Sequence, residues 1–230
     1  MPELNVYQPW SAPLVHTTLP DKIVQELIQL TNLITEDNDH ESDGENLAGE
    51  IEDEWIIEPI LLANISFKKY IIQLCWEYFK VFASQCDVGL NNDGMSYMSV
   101  SLSVMKKKIE NIEILKSWFN DQKDNEYNPL HNHAGYFSGV LYLKIPEYLP
   151  SRKSRNDNRE KSSIFVQNDG SIVFVQDESN EVMTDSSIAI SPKVGDIFLF
   201  PSTLRHQVYP FRTADGKGIR RSLSFNLDSE

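Results

Sequence analysis

Cations are scarce in this sequence: 21 Lys and Arg stand against 34 Asp and Glu, a formal net charge of −13. Affinity for nucleic acid is dominated by basic side chains that neutralise phosphates, so a broad nucleic-acid-binding surface is disfavoured. The local basic cluster of Arg152, Lys153, Arg155, Arg159 and Lys161 reads as a solvated loop between strands. Cysteine is nearly absent. Cys75 and Cys86 lie 86 − 75 = 11 positions apart in a stretch that reads as helix. At the helical rise that is about 16 Å, too far for a disulfide. Buried reduced thiols of a cytoplasmic protein are the simpler account. Long apolar runs are missing as well. None approaches the ~18 residues of a membrane span, and no basic-plus-apolar leader opens the chain. A soluble, cytoplasmic protein with no membrane partner is expected.

What is present suits a packed globular protein. Hydrophobic residues make up 40% and aromatics 10% of 230 residues, enough for one domain with a sizeable core. Pro2, Pro9, Pro13 and Pro20 make the start an extended lead-in. Asp21 can cap a helix over 22–34, with Ile23, Leu27, Leu30 and Ile34 on one face. The acidic stretch 36–54 reads as a solvated loop, and its oxygens lack calcium-loop spacing. A second helix is expected over 65–85, with Ile71, Leu74, Tyr78 and Phe82 along one stripe.

From about residue 98 the pattern changes to short alternating segments with turn residues between them. Strands are expected near 98–105, 112–119, 138–145, 163–167, 171–176, 187–190, 196–200, 204–209 and 219–226. Turn signals fall at Asn168-Asp169-Gly170, Ser191-Pro192, Val194-Gly195-Asp196 and Asp215-Gly216-Lys217-Gly218. The fold class is therefore mainly β with N-terminal helices, its core a jelly-roll or cupin-like barrel. Residues 1–95 would form the extended segment, helices and acidic loop that pack on a core of residues 96–230, in one integrated domain.

His131 and His133 form a His-Asn-His in YNPLHNHAGYFSG, and His206 lies in PSTLRHQVYPF. On a strand, residues i and i+2 share a face, so His131 and His133 can project together while Asn132 points outward. A third histidine from a distant strand would complete one face of a coordination sphere. Imidazole suits Fe, Zn, Cu and Ni, so ligand type alone does not choose the metal. A lone His-x-His is weak evidence, because most strand histidines are structural. On the final strand Arg220, Ser222, Ser224 and Asn226 share one face, and Arg221, Leu223 and Phe225 the other. A guanidinium fork with a hydroxyl two residues on is suited to gripping a carboxylate. If the intervening loop closes a hairpin, that strand lies close to His206.

In this order of features the sequence resembles the 2-oxoglutarate/Fe(II) dioxygenases, in which His-x-acid, a distal His and Arg-x-Ser follow one another; here the last interval is 220 − 206 = 14 residues. SWFN at 117–120, HNHAGYFSGVLYLKIP at 131–146, GDIFLFPSTLRHQV at 195–208 and RRSLSFN at 220–226 resemble a group of 2-oxoglutarate oxygenases from bacteria and their phages. The resemblance covers roughly residues 115–226. It implies a double-stranded β-helix, Fe(II) as cofactor and 2-oxoglutarate as cosubstrate, in the cytoplasm of a bacterium or of a phage's host. It implies an enzyme that hydroxylates a small-molecule or peptide substrate with release of succinate and CO2. By the same resemblance His131 and His206 are iron ligands, Arg220 pairs with the distal carboxylate of 2-oxoglutarate, and Ser222 supports it. Tyr142, on the strand after the His-x-His, is a further candidate for the cosubstrate pocket.

One position departs from the family. His133 stands where Asp or Glu is usual, which keeps the ligand count and removes one negative charge. A regular strand would make it a ligand; otherwise it points away and a water or nearby carboxylate completes the sphere. Two other readings remain open: a three-histidine cupin metalloenzyme that uses no 2-oxoglutarate, and a non-catalytic jelly-roll binding module with structural histidines. The sequence names neither the substrate nor the oligomeric state.

Overall fold

The structure, a computed structural model, describes residues 5–7, 13–36, 51–63, 65–86, 97–149, 169–175 and 187–229. The extended lead-in is already sheet: β1 (Asn5–Tyr7) pairs with β2 (Leu14–Thr18). Helix α1 (Asp21–Glu36) follows as expected and buries Ile23, Val24, Leu27 and Ile34. The acidic stretch contributes more than solvated loop. Its end carries β3 (Glu54–Ile56), and Ile51 is buried; residues 37–50 lie outside the described residues. Short α2 (Pro59–Ala63) leads to α3 (Phe67–Cys86), where Ile71, Leu74 and Tyr78 face the core and Phe82 packs at its edge. Cys75 lies free within this core. No helix among the described residues is long and apolar enough to cross a membrane.

The strand expected at 98–105 is a helix, α4 (Tyr97–Glu110). Val100, Leu102 and Val104 alternate as in a strand, but the deciding pair is Met105 and Ile109, one helical turn apart. They are 5% and 1% exposed, against 49% for Val104. That pair packs α4 on α3, and Lys107 and Lys108 sit in its last turn, where the helix dipole favours cations.

The remaining strands are β4 (Ile112–Lys123), β5 (Asn128–His131), β6 (Phe137–Lys144), β7 (Ile172–Val175), β8 (Ser187–Ile190), β9 (Asp196–Pro201), β10 (Arg205–Val208) and β11 (Ile219–Ser229). The strand expected at 163–167 and the basic cluster at 152–161 lie outside the described residues. Two sheets form, in strand orders β1-β2-β9-β6-β11-β4-β3 and β5-β10-β7-β8. The larger is buried on both faces. Leu141, Leu143, Leu223 and Phe225 point into the helical layer, while Val140, Tyr142, Phe198 and Phe200 point toward the smaller sheet. The hairpin expected between the strands of His206 and Arg220 does not form. β10 pairs with β5 and β7, whereas β11 pairs with β4 and β6, so the connecting loop crosses from one sheet to the other. Gly139 fixes a close contact on the central strands: a Cβ there would stand 2.1 Å from the Phe225 ring.

Arg221, on the helix-facing side of β11, ties the layers together. Its Nε donates to Asp121 Oδ1 at 2.6 Å, its Nη2 donates to the other oxygen, and its Nη1 donates to Asn32 and Thr31 of α1 at 2.8 and 3.1 Å. A buried pair of this kind is worth little against apolar replacements, but removing one partner strands a charge at a cost of about 3–5 kcal/mol. Asp121→Ala should lower stability by that order, and Asp121→Leu with Arg221→Met should recover much of the loss, both read as urea midpoints. Equal loss in the two variants would show that the ion pair is not the source.

Candidate functional site

The two strands that carry His131 and His206 are neighbours in the smaller sheet, in register with the histidines opposite one another. Their ring centroids are 4.3 Å apart. His133 arrives differently, because β5 ends at His131 and strand alternation no longer governs it. Its N–H donates to Ser202 O at 2.9 Å, and Ser202 Oγ donates to Gly135 O. Gly135 then turns the chain at φ +99°, where a Cβ would stand 2.8 Å from Leu227 O. A side chain is thereby disfavoured at this turn on two counts, the positive φ and the contact. The His133 ring ends 4.8 Å from that of His131 and 5.0 Å from that of His206. Asn132 is exposed, as expected, although it lies just beyond the strand.

The donor set fits a metal ion. Nδ1 of His131 is 2.7 Å from Pro129 O, and Nδ1 of His206 is 3.1 Å from Leu204 O. A carbonyl only accepts, so both rings carry their proton on Nδ1 and turn an Nε2 lone pair inward. Nε2 of His133 and Nε2 of His206 face each other at 3.3 Å. Two nitrogens bound at right angles to one ion, each at about 2.1 Å, would stand about 3.0 Å apart. One candidate ligand atom from each histidine lies within 4.8 Å of the other two, and among the described residues no carboxylate or thiol joins the group. The imidazoles are held neutral, as metal binding requires. Burial depresses all three: His131 falls below its usual value, His133 drops to about 4 and His206 to about 3, the last two further lowered by neighbouring rings.

The triad opens on a cavity of about 40 Å³ between the sheets. Opposite the histidines, Asn120 and Gln122 of β4, Tyr142 of β6 and Ser222 and Ser224 of β11 form a polar wall. Ser222 Oγ donates to Asn120 Oδ1 at 3.2 Å. Tyr142 is 1% exposed, burial raises its pKa, and its hydroxyl has no hydrogen-bond partner among the described residues. Behind this wall lies Arg220, also 1% exposed. Its Nη1 donates to Gly170 O and its Nη2 to Gln122 Oε1, while its Nε lacks a partner among the described residues. The guanidinium stands 5.7 Å from the centre of the Tyr142 ring. All six side chains singled out in the sequence thus converge on one cavity or its back wall. Sequence reasoning missed Asn120, Gln122, Asn128 and Ile51, which also line it. The first two continue the alternation of β4 beyond the expected end at 119, a signal hidden by their polarity.

Residues 116–226 match the family model described as "Putative 2OG-Fe(II) oxygenase". Among curated proteins none matches the chain. Among solved structures, a prolyl-4-hydroxylase from Pseudomonas putida superposes with a TM-score of 0.52 at 14% identity, over 94% of this chain and 92% of that one. SnoK, a non-heme alpha-ketoglutarate-dependent carbocyclase from nogalamycin biosynthesis, gives a TM-score of 0.50 at 9% identity, over 94% of this chain and 79% of its own. At such identities the likeness is one of fold, and it bears out the expected double-stranded β-helix.

The histidines link stability to pH. Unfolded imidazoles titrate near 6.5, whereas His133 and His206 hold out to about 4 and 3. Between those limits the unfolded chain binds more protons, so stability falls as the pH is lowered. The metal-free protein should lose urea resistance steadily from about pH 6.5 to 4.5, and His133→Gln should flatten that slope. Identical slopes for the two proteins would refute the assignment.

Proposed function

We propose that this chain is a 2OG-Fe(II) oxygenase, an oxidoreductase, in which His131, His133 and His206 hold Fe(II) while Arg220, Tyr142 and Ser222 receive 2-oxoglutarate; the match of residues 116–226 to that family's model supports this reading. The reaction is the hydroxylation of a bound substrate, with succinate and CO2 as the other products. When bound, the metal and the oxo acid supply the oxidising power drawn from O2.

One observation carries this reading: Arg220 is a buried cation whose partners are neutral. Gly170 O and Gln122 Oε1 are carbonyl acceptors, and among the described residues Arg220 enters no ion pair. Stripping a guanidinium of water costs several kcal/mol unless an anion compensates it. A carboxylate placed between Arg220 and the triad would supply that charge. It would also accept from the Tyr142 hydroxyl and the Arg220 Nε, neither of which has a hydrogen-bond partner among the described residues. The Ser222 hydroxyl, in register beside Tyr142, lines the same space and can turn to the ligand or stay on Asn120. The remaining roles are positional. Gln122 and Gly170 fix the plane of the guanidinium, and the backbone carbonyls behind His131 and His206 fix the tautomers that present Nε2. Aromatic walls exclude water: Phe200 and Phe174 lie 4.9 and 5.9 Å from the His206 ring.

Anaerobic addition of Fe(II) followed by 2-oxoglutarate should produce a visible charge-transfer band, and admission of air should release succinate. The absence of both would sink the proposal. Arg220→Ala should weaken 2-oxoglutarate binding by about ten- to a hundredfold, the worth of one to two charge-assisted hydrogen bonds, while Fe(II) binding persists. Parallel loss of both ligands would mark a misfolded variant instead.

A further inference from the structure

We propose that the substrate carries a carboxylate, and that Lys116 receives it on the face of Trp118 at the mouth of the cavity. The inference rests on the metal and cosubstrate reading above and adds the chemical class of the substrate to it.

Lys116, Trp118, Asn120 and Gln122 alternate along one face of β4, so Lys116 continues the polar wall outward toward solvent. Trp118 lines the cavity, is 6% exposed and lies 5.5 Å from the His133 ring. The Lys116 ammonium sits 5.5 Å from the centre of the Trp118 ring, a cation–π placement that holds an exposed cation over the entrance. Lys116 enters no ion pair among the described residues, although acids outnumber bases 34 to 21 in the chain.

Charge inside the cavity points the same way. In this acid-rich chain, no Asp or Glu is found among the described residues that line it. Three neutral imidazoles leave a divalent ion with its full charge, and Arg220 adds another. Dianionic 2-oxoglutarate offsets two of these three positive charges. The ligand carboxylate that would offset the third is absent, because His133 occupies its place. A substrate anion would complete the balance in a space where screening by water is weak. Lys116, the exposed cation over Trp118, suits a carboxylate rather than an ammonium.

The test uses the full chain loaded with Ni(II) and saturating 2-oxoglutarate, each confirmed by calorimetry. Two probe pairs are then titrated by tryptophan fluorescence. Acetyl amino acids against their amides report a free α-carboxylate, and a blocked tetrapeptide with Glu against its Gln counterpart reports an acidic side chain. The acid of at least one pair should bind about five- to tenfold tighter than its neutral partner. The preference should shrink at high salt. Lys116→Met keeps the apolar stem over Trp118 and should abolish the preference without changing Ni(II) or 2-oxoglutarate affinity. The pair that responds tells a small metabolite from an acidic peptide. Equal affinity or no binding across both pairs, or a preference that survives Lys116→Met, overturns this inference alone. Failure to load Ni(II) or 2-oxoglutarate overturns the metal reading and this inference with it.

Discussion

Two adjacent arginines on β11 are taken out of water on opposite faces of the same sheet, and the structure treats them differently. Arg221 meets the Asp121 carboxylate bidentately and spends its remaining donors on α1, so its charge is answered within the fold. Arg220, one residue earlier, meets only neutral groups among the described residues, two carbonyls and the Tyr148 phenol, so its charge is not answered there. The register of β11 decides which is which, because a slip of one residue would exchange the two faces. That register is fixed by long antiparallel pairings to β4 and β6, with an irregularity beside Arg221 and the Gly139–Phe225 contact further along. The helical cap and the cavity thus depend on one strand alignment.

The cavity is built from two sheets that share no strand pairing. The smaller one brings His131 and His206 into register, and the larger supplies the polar wall and the arginine behind it. What keeps them at a usable separation is the aromatic layer between, where Phe174 stands 6.0 Å from Phe198 and 5.0 Å from Phe200. The same rings strip water from His206 and hold it neutral. Packing and the chemistry of the imidazoles are one arrangement, because burial that organises a ligand also decides its protonation.

Legibility in the sequence followed the strength of local periodicity. Helices α1 and α3 were plain because Ile23, Leu27 and Ile34, and then Ile71, Leu74 and Tyr78, repeat at helical spacing over several turns. The alternating face of β11 was equally plain. Helix α4 was hidden by the accidental alternation of Val100, Leu102 and Val104, and only tertiary contact shows that Met105 and Ile109 are the packed pair. The polar end of β4 carries no apolar alternation to mark it as strand, since Asn120, Asp121 and Gln122 are buried by partners far away in sequence: Ser222, Arg221 and Arg220. The convergence of the three histidines is as expected, but the condition of a regular strand is not met at His133, because β5 ends at His131. A hydrogen bond from its own N–H to Ser202 O and the glycine turn at Gly135 place it instead of strand alternation. The crossing of the 209–218 loop between sheets had no local signal at all.

Neutral ligands and an unanswered cation are costly features for a fold to keep. Asp121, one position along from Gln122, shows that a carboxylate can be accommodated on this strand when it faces the helices. On the cavity face the corresponding positions are amides, and the guanidinium there is gripped by Gln122 Oε1 where a Glu would have formed an ion pair. An acid at that position would satisfy Arg220 internally and leave no demand for an external anion. On the function proposed above, the choice of amide over acid trades stability for an affinity, as happens where a site breaks the rule that buried charges are paired. The strand's two faces divide the work: one closes its charges within the protein, and on the function proposed above the other holds a charge open for a ligand.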